Sequence, residues 1–336
     1  MHALIERYRN RLPVSGSTPV VSLGEGSTPL LPAPRLSERL GAEVFLKWEG
    51  ANPTGSFKDR GMTVAISKAL EAGVASVICA STGNTAASAA AYAARAGLRA
   101  LVLQPAGAVA SAKLAQAGAL GARVIEVRGS FDEALDAARA LAERGTHVLV
   151  NSLNPHRLEG QKTAAFEILE ELDGPPDVLA LPYGGGGNLS AYARGFAEAD
   201  AGSPRFVAGE AAERKTTVAS AIRIASPAHA AEVEEAVRAS GGAVVSLDDG
   251  AILDAWRELA RAEGIFCEPA AAAGIAALAA TELAPGARVV CVVTGHGLKD
   301  PDTAARLSSE PVVVDPDPDQ IAEISLREIS REHAES

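Results

Sequence analysis

The sequence predicts an α/β fold built on parallel sheets. Three observations favour this class: short apolar runs recur along the chain, helical segments separate them, and the alternation is regular from residue 61 onward. Apolar runs without polar alternation indicate strands in sheets that are covered on both faces. Because single cores rarely exceed about 250 to 300 residues, a chain of 336 residues is expected to form two domains.

The first part of the chain leads toward one conspicuous turn. We predict a short helix at the N-terminus, a polar turn at residues 15–19, and a strand at Val44–Glu49, where apolar and aromatic residues favour extended structure. This strand runs directly into the segment Asn52–Arg60, which combines Pro, Gly and Ser with a lysine, an acid and an arginine. A helix is expected to follow that turn.

Strands and helices continue to alternate up to residue 150. Glycines that follow the first helices mark where those helices end. The predicted strands are Ser76–Ala80, Ala100–Leu103, Arg123–Val127 and His147–Val150. The predicted helices are Met62–Ala72, Thr85–Arg95, Ala110–Ala117 and Phe131–Arg144. This section is expected to form one compact α/β unit.

A second α/β unit is predicted after Asn151. Its strands are Val178–Pro182, Arg205–Ala208, Ala243–Ser246 and Arg288–Val293. Its helices are Gly160–Leu172, Leu189–Ala197, Ala251–Glu263 and Ala270–Ala280. The charged tail after Pro301 is expected to form a turn that leads to a small terminal helix.

Composition limits the classes of partner. A net charge of −11 argues against nucleic acid and anionic membranes, which attract an excess of Lys and Arg, so any anionic ligand needs a local basic cluster. The three cysteines lack CxxC spacing and are expected to be buried reduced thiols. No paired-histidine spacing indicates a metal site, and no apolar signal segment is present, so we expect a soluble cytoplasmic protein without a metal.

Lys58 is the first candidate for chemistry. It lies where a helix is predicted to begin and two residues before Arg60, and both neighbours disfavour a protonated amine. A less protonated lysine can form a Schiff base with a carbonyl, either of a substrate or of pyridoxal phosphate. The alternative interpretation is a surface lysine that pairs with Asp59.

Two further turns follow predicted strands, at the sheet edge where ligands of open α/β sheets bind. Residues Ser81–Thr85 combine polar side chains with the start of a helix, which predicts a site for a carboxylate; ordinary helix capping is the alternative. Residues Gly184–Asn188 form a glycine cup between strand and helix, which predicts a phosphate site; a flexible linker is the alternative. The glycines match neither a P-loop nor a dinucleotide fingerprint.

Two more candidates follow later strands. Lys113 and Arg157, with the polar residues around Asn151, form a basic cluster that suggests a second anion site; a solvated surface arginine is the alternative. Thr294 directly follows the last predicted strand, where a hydroxyl can hydrogen-bond a neutral ring nitrogen.

Taken in order, five segments resemble the threonine synthase family of fold-type II, tryptophan synthase β-like, pyridoxal phosphate enzymes. They are NPTGSFKDR at 52–60, STGNTAAS at 81–88, NSLNPHRLEGQKT at 151–163, GGGGN at 184–188 and TGHGLKD at 294–300. The lysine turn and the glycine cup mark only the superfamily, whereas NPHRLEGQKT and TGHGLKD narrow the resemblance. It extends from Gly24 to about Asp300.

The resemblance implies a role for each candidate residue. Lys58 is the catalytic residue, which forms the Schiff base with pyridoxal 5'-phosphate and moves protons. Asn84 binds the cofactor's ring hydroxyl, and Thr294 binds its ring nitrogen. The cofactor's phosphate is bound by Gly184, Gly185, Gly186, Gly187 and Asn188. The substrate's carboxylate region is bound by Ser81, Thr82 and Thr85, and its phosphate by Lys113, Asn151, Ser152, Asn154 and Arg157.

The implied reaction converts O-phospho-L-homoserine and water to L-threonine and phosphate by γ-elimination and β-hydration. The resemblance further implies a homodimer, in which each chain has a larger cofactor-binding domain of residues 1–57 and 151–336. A smaller, mobile α/β domain of residues 58–150 completes two open twisted parallel sheets, with the active site in the cleft between them. The alternatives are a threonine or serine dehydratase of the same fold and a non-catalytic relative that binds pyridoxal phosphate or a metabolite.

One segment departs from the family pattern. Residues Gly209–Thr217 are shorter and more charged than expected before the helix at Ala221–Arg223. We expect this difference to affect the local shape of the cofactor entrance or a subunit contact rather than the chemistry.

Overall fold

A computed structural model describes residues 3–107, 112–322 and 324 of the chain. It divides into two compact units, Met1–Pro301 and Asp302–Ser336, and every described strand lies in the first. Among the described residues, no helix combines the length and the apolar character that a membrane span requires.

The elements alternate along the first unit, as the sequence predicts. The strands are β1 Leu30–Pro32, β2 Glu43–Trp48, β3 Ser76–Ala80, β4 Arg99–Pro105, β5 Arg123–Val127, β6 Val148–Leu149, β7 Val178–Pro182, β8 Arg205–Ala211, β9 Ala243–Leu247 and β10 Arg288–Val293. The helices are α1 Leu4–Arg7, α2 Pro34–Leu40, α3 Lys58–Glu71, α4 Asn84–Arg95, α5 Ala112–Ala119, α6 Phe131–Glu143, α7 Pro155–Leu172, α8 Gly187–Ala199, α9 Ala230–Ala239, α10 Asp249–Ala262, α11 Ala273–Ala279 and α12 Pro301–Leu307.

The strands form two sheets. The six-stranded sheet has the order β1-β2-β10-β7-β8-β9 and is parallel except for β1, while the four-stranded sheet has the order β5-β4-β3-β6 and is parallel throughout. The predicted α/β class with parallel sheets is therefore confirmed. All four strands of the smaller sheet lie within residues 58–150, but the proposed domain boundaries and the mobility of that part stay predictions.

Four strands have the predicted bounds, but several helices begin earlier than predicted. α3 begins at Lys58 instead of Met62, and α7 begins at Pro155 instead of Gly160. The side chain of Asn154 accepts a hydrogen bond from the first turn of α7, where proline supplies a backbone conformation that suits a helix start. The polar residues that looked like loops are thus first turns of helices. Ala110, the predicted start of the helix that corresponds to α5, lies outside the described residues.

Apolar burial explains why β3 is a central strand. Val77, Ile78 and Cys79 have no exposed surface, because helices cover both faces of the smaller sheet. Cys267 and Cys291 are also free and buried, which confirms the expectation for the thiols. Burial raises the pKa of all three cysteines, so none is poised as a nucleophile.

A buried ion network holds the start of α3 against α7. Arg60 pairs with Glu49 at 2.8 Å and with Glu167 at 2.6 Å, and Lys47 lies 3.0 Å from Glu167, with at most 1% of each side chain exposed. The charges of Arg60 and Lys47 outweigh burial and lower the pKa of Glu167 to about 2. Because buried charges are tolerated only when paired, this network fixes how the two helices meet.

Glycines let the two helices approach backbone to backbone. A Cβ on Gly160 would lie 1.9 Å from the carbonyl oxygen of Arg60, and one on Gly61 would lie 2.5 Å from the carbonyl oxygen of Arg157. No larger residue fits either position without separating the helices. Lys58 and Arg157, the two predicted site residues on these helices, are consequently held at a fixed distance.

Candidate active site

Three loops of the first unit are joined by backbone hydrogen bonds next to Lys58. The amide of Phe57 donates to the carbonyl of Thr294 at 3.1 Å, and the amide of Glu268 donates to the carbonyl of Gly295 at 3.1 Å. The lysine turn, the segment before α11 and the loop after β10 therefore form one surface. This arrangement brings Thr294 near the lysine, as the motifs imply.

Asp59 holds the lysine turn together. Its carboxylate accepts hydrogen bonds from the amide of Thr54 at 2.7 Å, from the hydroxyl of Thr54 at 2.6 Å and from the hydroxyl of Ser88 at 2.6 Å. Burial raises the pKa of Asp59 to about 6, against the effect of these donors. Since Asp59 is directed into the turn and makes no ion pair with Lys58, the surface-pair interpretation is wrong.

The amine of Lys58 has no ion pair or hydrogen bond to any residue that the structure describes. Its Nζ lies 4.2 Å from the ring centre of Phe57. Burial lowers the pKa of Lys58 to about 7, and the positive charge of Arg157 lowers it further, while the carboxylate of Glu268 opposes both. The direction of the predicted shift is confirmed, but the cause is different: the cation responsible is Arg157, because Arg60 is engaged with Glu49 and Glu167.

The lowered pKa predicts an unusual pH dependence of labelling. In cofactor-free protein, acetylation of Lys58 should be half-maximal near pH 7 and level off above it, because the reactive neutral amine forms as the pH rises through its pKa of about 7. An ordinary exposed lysine should gain reactivity up to about pH 10. Peptide mass spectrometry over a pH series checks this, and a Lys58 profile parallel to those of surface lysines would contradict it.

Asn84 begins α4 and directs one side of its amide into the site. Its Nδ2 donates to Oε1 of Glu268 at 2.7 Å, whereas its Oδ1 is buried without a partner among the described residues. A buried acceptor without a donor is costly unless a ligand satisfies it. Its placement is therefore consistent with the predicted contact to a cofactor ring oxygen.

The remainder of this loop resembles a helix cap. The hydroxyl of Ser81 accepts from the amides of Gly83 at 3.0 Å and Ala86 at 3.3 Å, as the capping interpretation expects. Thr82 follows Ser81 in the loop, and Thr85 is the second residue of α4. Carboxylate binding by Ser81, Thr82 and Thr85 stays a prediction.

The glycine cup starts α8 in a conformation that favours glycine. Gly186 has φ +87°, and a Cβ there would lie 2.9 Å from Val233 and 3.0 Å from the carbonyl of His229. A Cβ on Gly184 would lie 3.0 Å from Cα of Ile222. Amides at the start of a helix of 13 residues attract a phosphate, and the buried Nδ2 of Asn188 adds a donor that has no partner among the described residues.

Neighbouring glycines of the cup offer a matched test. Gly186→Ala should weaken pyridoxal phosphate binding about tenfold or more, because a strained φ and two close contacts distort the cup by about 1–3 kcal/mol. Gly185→Ala is the control, since its Cβ meets only a side-chain atom of Ile224 at 3.4 Å. Fluorescence titration with the cofactor checks both variants, and equal affinities would contradict the assignment of the cup.

The segment that departs from the family pattern, Gly209–Thr217, contacts the glycine cup. Arg214 pairs with Glu210 and donates to the carbonyl oxygens of Gly184 and Ile224, both at 3.2 Å. The residues at Ala221–Arg223 are not an α-helix: a short 3-10 turn covers Ser220–Ile222. The charged segment therefore helps to hold the start of the glycine cup in place.

Arg157 is completely buried beside Lys58 and is poorly satisfied. Its NH1 donates to the carbonyl of Val150 at 2.7 Å, while Nε and NH2 have no partner among the described residues. Burial lowers its pKa to about 10, and the guanidinium stays charged at neutral pH. The solvated-surface interpretation of this arginine is thus wrong, and two donors are available for an anion.

The other polar residues of that cluster are engaged with the protein itself. The side chain of Asn151 accepts from the amide of Ala80 at 2.9 Å and donates to its carbonyl at 2.8 Å. Asn151, which follows β6, thereby binds the last residue of β3. Asn154 caps α7 and donates to the carbonyl of Leu149 at 2.8 Å. The carbonyl of Ser152 lies 3.2 Å from Nε2 of His229. Their direct contact with a substrate phosphate stays a prediction.

Two charged residues of this surface received no role from the sequence. Glu268 is 1% exposed and lies 2.8 Å from Lys113, the predicted phosphate ligand. Lys299, also buried, donates to the carbonyl of Thr54 at 2.8 Å, and burial lowers its pKa to about 8. Glu268 is a single charge beside an apolar run and Lys299 is a single charge in the polar loop after β10, and neither pattern distinguishes a site residue from a surface residue.

The described residues contain no group of three or more His, Cys, Asp or Glu that could hold a metal ion. They do contain the groups that pyridoxal phosphate requires: an amine with a low pKa, a glycine cup at a helix start, and buried polar atoms without partners at Asn84 and Asn188. The residues present therefore fit this cofactor.

Comparison with known proteins agrees with this geometry. Residues 21–295 match the family model described as pyridoxal-phosphate dependent enzyme. The chain is 52% identical to a threonine synthase of Synechocystis sp., over 94% of the chain and 88% of the relative. It is 47% identical to a threonine synthase of Methanocaldococcus jannaschii, over 93% of the chain and 84% of the relative.

Solved structures share the fold. A cysteine synthase from Entamoeba histolytica matches with a TM-score of 0.75 at 21% identity, covering 89% of this chain and 96% of the other. A fungal L-serine ammonia-lyase from Rhizomucor miehei matches with a TM-score of 0.71 at 25% identity, covering 84% and 97%. The likeness at 21% identity supports only the fold, whereas the sequence relatives extend over nearly the whole chain. The chain belongs to the pyridoxal phosphate-dependent enzymes and, within them, to the threonine synthase family.

Proposed function

We propose that the protein converts O-phospho-L-homoserine and water to L-threonine and phosphate. The observation that carries the proposal is a second cationic site beside Lys58. Arg157 presents two unsatisfied donors there, apart from the glycine cup that suits the cofactor's phosphate. A dehydratase that acts on threonine or serine has one phosphate to hold, whereas a substrate with its own phosphate requires a second anion site.

Each group of the site has a defined task in this reaction. When bound, pyridoxal phosphate supplies an electron sink for carbanion chemistry. Residues Gly184–Asn188 would hold the cofactor's phosphate, Asn84 would bind its ring oxygen, and Thr294 would bind its ring nitrogen. Ser81, Thr82 and Thr85 bind the carboxylate region of the substrate.

Lys58 moves protons at Nζ. A group with a pKa near the working pH both accepts and releases a proton readily, and the pKa of Lys58 is about 7. Burial is the main cause of this low pKa and the Arg157 charge adds to it, so a large fraction of the amine is neutral at pH 7. Lys58 can therefore act at successive carbon atoms of one substrate.

Arg157 and Lys113 bind the substrate's phosphate. Their positive charges offset the negative charge that develops on the leaving group as its bond to carbon breaks. The side chains of Asn151 and Asn154 keep β3 and the start of α7 in place, and with Ser152 they complete the wall of the phosphate site. A homodimer, a cytoplasmic location and a mobile domain of residues 58–150 stay predictions of this proposal.

Product analysis tests the proposal. Purified protein loaded with pyridoxal phosphate should release phosphate from O-phospho-L-homoserine and form L-threonine in equal amounts. Formation of 2-oxobutyrate from threonine as the main activity would identify a dehydratase instead. Failure of borohydride to link the cofactor to Lys58 would favour a non-catalytic relative.

A further inference from the structure

Glu268 lies between two predicted ligand-binding residues without a task of its own. Its Oε1 accepts from Nδ2 of Asn84 at 2.7 Å, and its Oε2 lies 2.8 Å from Nζ of Lys113. The carboxylate is 1% exposed, so water cannot stabilise its charge. A Cβ on Gly295 would lie 2.3 Å from Oε1, which shows how closely the carboxylate packs against the loop after β10.

The contacts of Glu268 with Asn84 and Lys113 differ in their hydrogen-bond geometry. The bond from Asn84 is an aligned hydrogen bond, whereas Oε2 has no aligned hydrogen bond to any described residue despite its short distance to Lys113. The pair with Lys113 is thus chiefly a charge attraction. Such a pair lacks the directional bonds that make charge-assisted contacts strong.

Lys113 is buried between the loop before α4 and the turn beside the glycine cup. Its Nζ lies 3.1 Å from the hydroxyl of Ser220, in the turn whose residue Ile222 packs on Gly184 of the cup. Its side chain also passes the loop before α4, since a Cβ on Gly83 would lie 3.8 Å from Cδ of Lys113. A phosphate group carries up to two negative charges and more acceptor oxygens than a carboxylate.

We propose that Glu268 is a displaceable counter-ion of Lys113: a substrate phosphate draws Lys113 away from Glu268, and an amino acid without phosphate leaves the pair closed. This inference rests on the proposed function. Glu268 is then a specificity-determining residue that acts through Lys113. After displacement, the carboxylate keeps the bond from Asn84 and remains close enough to Lys58 and Lys299 to interact with their charges.

Inorganic phosphate is the probe that separates this role from a structural one. In the loaded enzyme, Glu268→Gln should bind phosphate at least about fivefold more tightly than the wild type, because phosphate no longer competes with a carboxylate for Lys113. A residue needed only for structure would lose affinity when changed. Titration calorimetry measures the effect, and Glu235→Gln, an exposed carboxylate paired with Arg238, controls for the change in net charge.

A double-mutant cycle tests whether the effect passes through Lys113. Lys113→Gln alone should weaken phosphate binding, and adding Glu268→Gln to it should restore nothing. A gain that persists without Lys113 would overturn the proposal, because general repulsion by the carboxylate would then explain it.

A second variant keeps the test decisive if Glu268→Gln does not fold. Glu268→Asp withdraws the carboxylate by one methylene and should give an intermediate gain in phosphate affinity. Affinity of Glu268→Asp equal to that of the wild type would then overturn the inference. The proposed function is judged separately, since it requires only that the wild type forms threonine from O-phospho-L-homoserine.

Discussion

Replacing Lys58 with alanine should lower the rate of threonine formation by at least about 10³-fold. The variant loses both the amine that joins the cofactor and the group that moves protons. The two other lysines of this surface are already engaged: Lys113 is paired with Glu268, and Lys299 donates to the carbonyl of Thr54 in the lysine turn.

The same variant should keep its fold and much of its affinity for the cofactor's phosphate. Lys58 makes no hydrogen bond or ion pair with the described residues, and the glycine cup is formed by separate elements. Circular dichroism and cofactor titration should therefore resemble those of the wild type. Lys68→Ala, which removes a lysine from the same helix, is the control and should retain full activity. A Lys58→Ala enzyme with more than a tenth of wild-type activity would refute the catalytic assignment.

Replacing Arg157 with methionine should separate activity from stability. We expect kcat/KM for O-phospho-L-homoserine to fall by about 10² to 10³, because loss of a buried charged partner costs about 3–4 kcal/mol. The free energy of unfolding of the ligand-free protein should rise by about 1–3 kcal/mol, since an apolar side chain replaces a buried guanidinium with two unsatisfied nitrogens.

The sign of the stability change follows from the pKa. The folded protein lowers the pKa of Arg157 to about 10, below its usual value of 12.5, so folding disfavours the cation throughout the neutral range. Denaturant unfolding and steady-state kinetics check the two effects. Arg157→Lys is the matched variant: it keeps a charge but loses the planar donors, and its kcat/KM should be intermediate. A stability loss in Arg157→Met would indicate that the arginine serves the fold.

Local sequence patterns were sufficient to predict most strands and helices, and to locate the turns that carry the site residues. β3, β7 and β10 are mainly apolar runs and β5 is a short run rich in β-branched residues, and turn signals bound all four. The cup at Gly184–Asn188 is recognisable for the same reason, because a strand and a helix flank a run of glycines. Helix starts at Lys58 and Pro155 were missed because site residues occupy first turns that otherwise look like loops.

Interactions between distant residues could not be predicted from those patterns. The partner of Lys113 is Glu268, 155 residues further along the chain, and the cation that lowers the pKa of Lys58 is Arg157 rather than its neighbour Arg60. No spacing in the sequence relates such residues, because packing of separate elements brings them together. The motifs thus located the site, but they did not show which charged residues of the site interact with one another.

The glycine contact between α3 and α7 has a consequence for the order in which a newly made chain becomes reactive. Lys58 emerges about one hundred residues before Arg157 during synthesis, and contacts of that sequence separation form only after the intervening chain has folded. Until α7 packs on α3, the amine is solvated and keeps the ordinary protonation of lysine. The low pKa of Lys58 is therefore expected to develop only when Arg157 and the anion site beside the lysine are in place.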